Sequence, residues 1–112
     1  MKVAVVGSRT ISEIELSCYL PKETTEIISG GAKGVDTIAA LYAQEHKIRL
    51  TVFLPEYQKF GRAAPLKRNA QIVAAAETVL VFWDGLSAGT RHVIDLCEKT
   101  KTPYSVILCE GD

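Results

Sequence analysis

Ile27 to Ala43 read IISGGAKGVDTIAALYA. The two isoleucines end an apolar run of the kind expected for a buried strand. Ser29-Gly30-Gly31-Ala32-Lys33-Gly34 then removes side chains where the chain must turn sharply. Beyond Gly34 the apolar period becomes helical, with Val35, Ile38, Ala39, Tyr42 and Ala43 on one face of a helix running to about Glu45. Strand, glycine loop and helix make an anion pocket in α/β proteins. The first helical N–H groups lack intrahelical partners, and the helix dipole favours negative charge there. Glycines let a phosphate approach the backbone. The same stretch also suits a plain tight turn with no ligand.

Working outward, Lys2 to Val6 is a β-branched run expected as a buried parallel strand, ended by Gly7-Ser8-Arg9-Thr10. Ser12 and Glu15 have capping-box spacing for a helix carrying Ile14, Leu16, Cys18 and Leu20 and stopping before Pro21. The second strand is expected over 26–28 and the third over 50–54, where Pro55 ends it. Residues 56–64 (EYQKFGRAA) are aromatic and basic without a clear period, long for a connection in so small a chain. Pro65 suits the first turn of a helix over 66–75. A fourth strand over 78–82 leads into the Trp83–Thr90 loop. A helix over about 90–99 then points Val93, Ile94 and Cys97 inward. Pro103 breaks it before a last strand over 104–108.

Five strands alternating with four helices imply an α/β fold: a parallel sheet with helices on both faces, three layers in all. Periodicity alone does not fix the strand order. In the expected order, 3-2-1-4-5, direction reverses between strands one and four, and ligands bind outside the carboxyl ends at such a reversal. The loops at that edge, 7–10, 29–36 and 83–90, are the stretches richest in Gly, Ser and Thr.

The 112 residues suggest one domain spanning 1–112, and a hydrophobic share of 47% suits a folded globule. Formal net charge is zero, so no global field steers the chain to nucleic acid or membrane. No apolar run is long enough to span a bilayer. MKVAVVGSR reads as a first strand rather than a signal peptide. Cys18, Cys97 and Cys109 lack metal spacing, which points to reduced cytosolic thiols acting as small core residues.

GSRT and GGAKG do not match the dinucleotide fingerprint GxGxxG, and no Gly-Lys-Ser/Thr follows Lys33 as a P-loop requires. Lys33 either reaches a phosphate or stays solvated. Arg9, directly after a strand and a glycine, is placed to fork to a phosphate or carboxylate. Asp36 either complements the helix dipole or accepts from a ribose hydroxyl. Lys67-Arg68-Asn69 opens a helix where cations oppose the dipole, so a bound anion is one explanation and a solvated helix start the other. Ser87 and Thr90 flank Gly89 as caps or as a phosphate cradle. Trp83 either stacks on a base or packs beneath its loop. His46 and His92 pair with no nucleophile and read as surface or capping residues. Asp36, Glu56, Asp84 and Asp95 lie nearest the expected cleft without forming an acid/base couple. No Cys/His set has zinc spacing, so no metal is expected.

Together VVGSRTIS, ISGGAKGVDTIAALYA, KRNAQIV and FWDGLSAGT resemble the SLOG superfamily, and within it the small stand-alone YspA-like branch. The resemblance covers nearly the whole chain and implies a Rossmann-like fold holding a nucleotide or nucleotide-derived ligand. It carries over Gly7, Ser8 and Arg9 as the first-loop motif, and Gly30, Gly31, Gly34 and Asp36 as the second. Arg68 and Asn69 match the third helix, and Ser87, Gly89 and Thr90 the phosphate loop. The related lonely-guy phosphoribohydrolases split a nucleoside monophosphate into base and ribose phosphate. Their signature is an Arg on helix three and PGGxGTxxE on loop four. Arg68 and Gly89-Thr90 match it, but Val93 stands where the catalytic Glu belongs. Asp36 and Asp84 are the candidate substitutes. Similarity to the DNA-processing protein DprA is at the level of the fold.

The expectation is therefore a cytoplasmic module binding a nucleotide or ADP-ribose-like ligand through Gly7, Ser8, Arg9, Ser29, Gly30, Gly31, Lys33, Gly34, Asp36, Arg68, Asn69, Trp83, Ser87, Gly89 and Thr90. No further cofactor and no membrane are implied, and apolar helix faces on so short a chain suggest a homo-oligomer. A nucleotide N-glycoside hydrolase using Arg68, Asp36 or Asp84 is the alternative. A weaker one is single-stranded nucleic-acid binding through Lys59, Arg62, Lys67 and Arg68, with Tyr57 and Phe60 stacking on bases; the balanced charge disfavours it.

Overall fold

The computed structural model describes residues 1–110. Five strands, β1 (Lys2–Gly7), β2 (Glu26–Ser29), β3 (Arg49–Val52), β4 (Thr78–Trp83) and β5 (Tyr104–Leu108), form one parallel sheet in the order β3-β2-β1-β4-β5. The central pair aligns Val3 with Thr78 and Gly7 with Phe82. Direction reverses between β1 and β4, so the fold is the expected Rossmann-like α/β arrangement.

Because side chains alternate along a strand, β1 feeds two cores at once. Val3 and Val5 join Ile27, Leu80 and Phe82 beneath α1 (Val35–Glu45), which contributes Val35, Ala39 and Ala43. Ala4 and Val6 join Ile28, Val79 and Val81 on the other face. There α3 (Ala64–Ala75) contributes Ile72 and Val73, and α4 (Ala88–Thr100) contributes Val93, Ile94 and Cys97. Pro65 lies in the first turn of α3, where a missing N–H costs nothing.

The first crossover departs from expectation. Residues 12–20 form no α-helix; a 3-10 turn, Leu16–Cys18, is the regular structure there. Ile14, Leu16, Cys18 and Leu20 are spaced by two, which spreads them around a helix instead of lining one face. An irregular path lets Ile11 and Leu16 bury fully while Ile14 and Leu20 pack at the margin. Tyr19 meets Phe82 edge to face, with ring centroids 5.3 Å apart. Cys18 is exposed and Cys109 only half-buried, so Cys97 alone of the three is a core residue. Residues 57–63, expected to be irregular, form the one-turn helix α2 (Tyr57–Phe60) and a 3-10 turn running into α3.

Phe82, wholly buried, is the largest side chain between the central strands and the first crossover. Phe82→Ala is expected to lower unfolding free energy by about 3–5 kcal/mol through lost transfer energy and a residual cavity. Leu86→Ala, at a side chain 89% exposed, should change it by no more than about 0.5 kcal/mol. Urea unfolding of both variants checks the contrast.

Candidate functional site

The chain leaves β1 toward one side of the sheet and β4 toward the other, and the split opens a cleft at their carboxyl ends. Its cavity measures about 280 Å³. Gly7, Ser8, Arg9 and Thr10 form the floor and one wall. Gly30, Ala32 and Asp36 come from the glycine loop and α1. Arg68 and Asn69 come from α3, and Ser87, Gly89 and Thr90 from the start of α4.

The β1 loop is held by close approach. A Cβ on Gly7 would lie 2.5 Å from both the Phe82 carbonyl and Val35 Cγ2. Gly34 has φ of +74°, and a Cβ there would meet the Arg9 and Ser8 carbonyls at 2.8 and 2.9 Å. These two glycines let α1 and the two central loops close on one another. The buried Ser8 donates its N–H to Phe82 O at 3.0 Å and accepts from the Asp84 N–H at 3.1 Å. Its hydroxyl also lies 3.5 Å from Thr90 Oγ1.

The start of α4 presents donors. Ser87 occupies the N-cap position with extended backbone, yet its side chain does not cap the helix. Its hydroxyl is turned to the Asp84 carboxylate, 3.0 Å from each oxygen. No acidic residue sits in the first turn. That turn faces the cavity through Gly89 and Thr90 with no side-chain cap on its own N–H groups. By contrast α1 carries Asp36 in its first turn, with Oδ2 accepting from the Ala32 N–H at 3.0 Å. Of the two helix N-termini, α4 is the better anion acceptor. Gly31, Lys33 and Gly34 of the glycine loop do not line the cavity, and neither does Ser29 beneath them.

Arg68, half-buried, donates from Nη1 to the Gly30 carbonyl at 2.6 Å and from Nε to Asn69 Oδ1 at 3.1 Å. The missing side chain at Gly30 leaves the space the guanidinium fills. Burial lowers the Arg68 pKa and the nearby Asp36 charge raises it; a guanidinium stays protonated at neutral pH regardless. Arg9 is exposed at the rim. Asp36 is 8% exposed, and burial pushes its carboxyl above the ordinary value. The Ala32 N–H, Arg68, Ser29 and Arg9 oppose that shift in decreasing order. Among the described residues, Asp36 Oδ1 is the buried side-chain polar atom that makes no hydrogen bond. Asp36 is also the carboxylate in the cavity wall.

Other expected residues lie elsewhere. Asp84 accepts from Thr10 Oγ1 and from the Leu86 and Ser87 N–H groups, and these bonds hold it well below the usual carboxylate range. It braces the 84–87 turn and does not line the cavity. Trp83 donates Nε1 to the Ser87 carbonyl at 3.1 Å, and the Arg91 guanidinium covers its ring at 5.9 Å. Glu56 is exposed, and Asp95 pairs with Arg91 at 3.2 Å. Lys59 and Lys67 lie over the Phe60 ring at 5.1 and 5.9 Å, so cations already meet the ring that was to stack on bases. His46 ends α1 against Tyr42, as a capping residue should. His92 does not stay at the surface as the sequence suggested: it is half-buried, with Nδ1 3.2 Å from Asn69 Nδ2. Thr10 lines the cavity from the expected 7–10 loop; Val6, Pro65, Leu66, Ile72 and Val93 also line it, and no local pattern marked these as site residues. Among the described residues no three His, Cys, Asp or Glu side chains group as a metal would require. No described helix is long and apolar enough to cross a membrane.

This is a Rossmann-like domain with a cleft at the sheet's reversal point. A family model described as the YspA, cpYpsA-related SLOG family matches residues 1–60. The chain belongs to that family, and membership suggests a nucleotide-related function. The matched span holds the first two loops and Asp36, while Arg68, Asn69 and the α4 loop lie beyond it. The chain is also similar to the Gene 61 protein of Mycobacterium phage D29, 32% identical over 83 residues. The alignment covers 69% of this chain and 66% of the phage protein, just under two thirds of the latter's length. No solved structure matches.

Asp36 gives the site a pH signature. Its folded pKa lies above the ordinary 3.8, so the folded chain takes up the proton more readily than the unfolded one. The resulting stability is present below the ordinary value and lost as pH rises through the raised one. Asp36→Asn removes this dependence. Its stability relative to the wild type should therefore be highest near neutral pH and fall as pH drops to ~4. Urea unfolding across that range measures it, and a difference that does not change with pH would exclude the buried charge as its source.

Proposed function

We propose that the cleft binds a nucleotide or nucleotide-derived ligand. A phosphate would sit against the first turn of α4, between Arg9 and Arg68, with a ribose hydroxyl donating to Asp36. The observation that carries this reading is the convergence of an uncapped helix start, two arginines and the Asp36 carboxylate on one cavity. An anion satisfies the first three groups and a hydroxyl donor the last. The volume lies just below the range of about 300–1,000 Å³ usual for ligand pockets. It suits one ribose phosphate unit inside, with the rest of an ADP-ribose-like ligand at the open mouth. A cytoplasmic setting and self-association through exposed Leu54, Leu66 and Leu108 belong to the same proposal.

A second reading is N-glycoside hydrolysis. It is favoured by Asp36, a desolvated carboxylate of raised pKa in the cavity wall, the kind of group general acid/base chemistry uses. Val93, at the position of the phosphoribohydrolase Glu, lines the cavity with an aliphatic side chain and supplies no proton. Asp84, already bound to its own loop, is poorly placed to replace it.

A thermal-shift series with AMP, ADP, ADP-ribose, NAD and their 2′-deoxy counterparts tests both readings. Ligand at about a hundred times its dissociation constant should add about 2.7 kcal/mol, a shift of several degrees. A 2′-deoxy analogue lacking the Asp36 contact should bind about 5- to 100-fold more weakly, and Arg68→Ala should weaken AMP and ADP-ribose alike. Absence of any shift across the series would overturn the binding proposal. Chromatography of each mixture separates the readings: intact nucleotide supports binding alone. Release of base that stops in Asp36→Asn supports the hydrolase.

A further inference from the structure

His92 joins the site through an amide whose orientation its neighbours dictate. Asn69 is buried, 7% exposed, between α3 and the start of α4. Its Oδ1 lies 3.1 Å from Arg68 Nε, a group that only donates. Its Nδ2 lies 3.5 Å from the Gly89 carbonyl, a group that only accepts. Turning the amide over would set donor against donor at one end and acceptor against acceptor at the other. Asn69 therefore has one orientation, with one Nδ2 hydrogen directed to Gly89. The other faces His92 Nδ1 at 3.2 Å, which must accept. The imidazole is then neutral and carries its proton on Nε2.

We propose that His92, as the Nε2–H tautomer, is a positioning residue that fixes the Asn69 amide and through it both Arg68 and the first turn of α4. The inference rests on the reading that these two elements hold a phosphate. His92 touches neither ligand nor cavity; it acts one residue removed. Arg68 Nε points where Asn69 Oδ1 can receive it, which leaves Nη1 on the Gly30 carbonyl and the plane of the guanidinium set across the cleft. The same amide draws Gly89 of α4 toward α3. Without an acceptor at His92 the amide keeps its bond from Arg68 Nε, but Nδ2 is left with only its long bond to Gly89 and the amide is freer to rock. Two anion-holding elements on different helices then lose their shared register.

The test uses the full chain, AMP as the probe, and two variants. His92→Asn offers a side-chain oxygen close to the position of Nδ1, and His92→Leu offers none. AMP affinity should fall about three- to tenfold in His92→Leu, the worth of one net hydrogen bond. It should recover most of that in His92→Asn, with both melting temperatures near the wild type. Equal loss in the two variants, or no loss in either, overturns the proposal. Nitrogen-15 spectra of the free wild type read the tautomer directly: a protonated Nδ1 in the neutral ring would also overturn it. The Arg68 Nε–H and Asn69 side-chain amide signals should shift and exchange faster in His92→Leu than in His92→Asn. Those spectra need no ligand, so the positioning role is decided even if AMP fails to bind and the nucleotide reading falls.

Discussion

Ser8 closes the gap between the two halves of the sheet at the point where the chain leaves them in opposite directions. Its N–H extends the β1–β4 ladder by one bond to the Phe82 carbonyl, and its hydroxyl receives the Asp84 N–H and meets Thr90. A hydroxyl at this depth needs partners, because an unpaired one would cost about 1–3 kcal/mol. It finds them in the loop after β4 and in the first turn of α4. The cleft exists because β1 and β4 diverge. It keeps a definite shape because one small polar side chain ties the diverging ends together.

Polar groups around that tie divide into those already satisfied and those left open. Asp84 spends its oxygens on Thr10, Leu86 and Ser87. Ser87 is drawn to Asp84 and so does not cap α4. The turn is stabilised by a carboxylate held ionised, and the helix start behind it is left open. Asp36 shows the opposite balance: burial outweighs its single backbone bond, and one oxygen has no partner. Donors at the start of α4 and a desolvated carboxylate on the Asp36 side of the same cavity leave the two walls with opposite polarity.

The α4 helix also explains how this chain departs from the hydrolase pattern it resembles. Val93 follows Thr90 by three residues and points into the core beside Ile72 and Val6. Val93, Ile72 and Val6 form an apolar part of the cavity lining, where the hydrolase pattern would place a carboxylate. The carboxylate in the cavity wall comes instead from α1, at Asp36.

Much of the fold was legible in the sequence. Continuous β-branched runs marked the strands, and the change of period at Gly34 marked α1, because burial on two faces and burial on one face leave different repeats. The glycine- and serine-rich loops pointed to the reversal of the sheet. The segment 12–20 misled because capping-box spacing outweighed an apolar spacing of two that no helix face accommodates. Side-chain direction was decided only in three dimensions. Nothing local told Ser87 to turn from its helix to Asp84, Trp83 to donate to the Ser87 carbonyl, or His92 to lean on Asn69. Each choice depends on which donor stands opposite which acceptor once helices and loops distant in sequence are packed together. Local sequence determined where the chain turns and which residue types reach the cleft. Tertiary packing decided which of their polar atoms are paired and which are left without a partner.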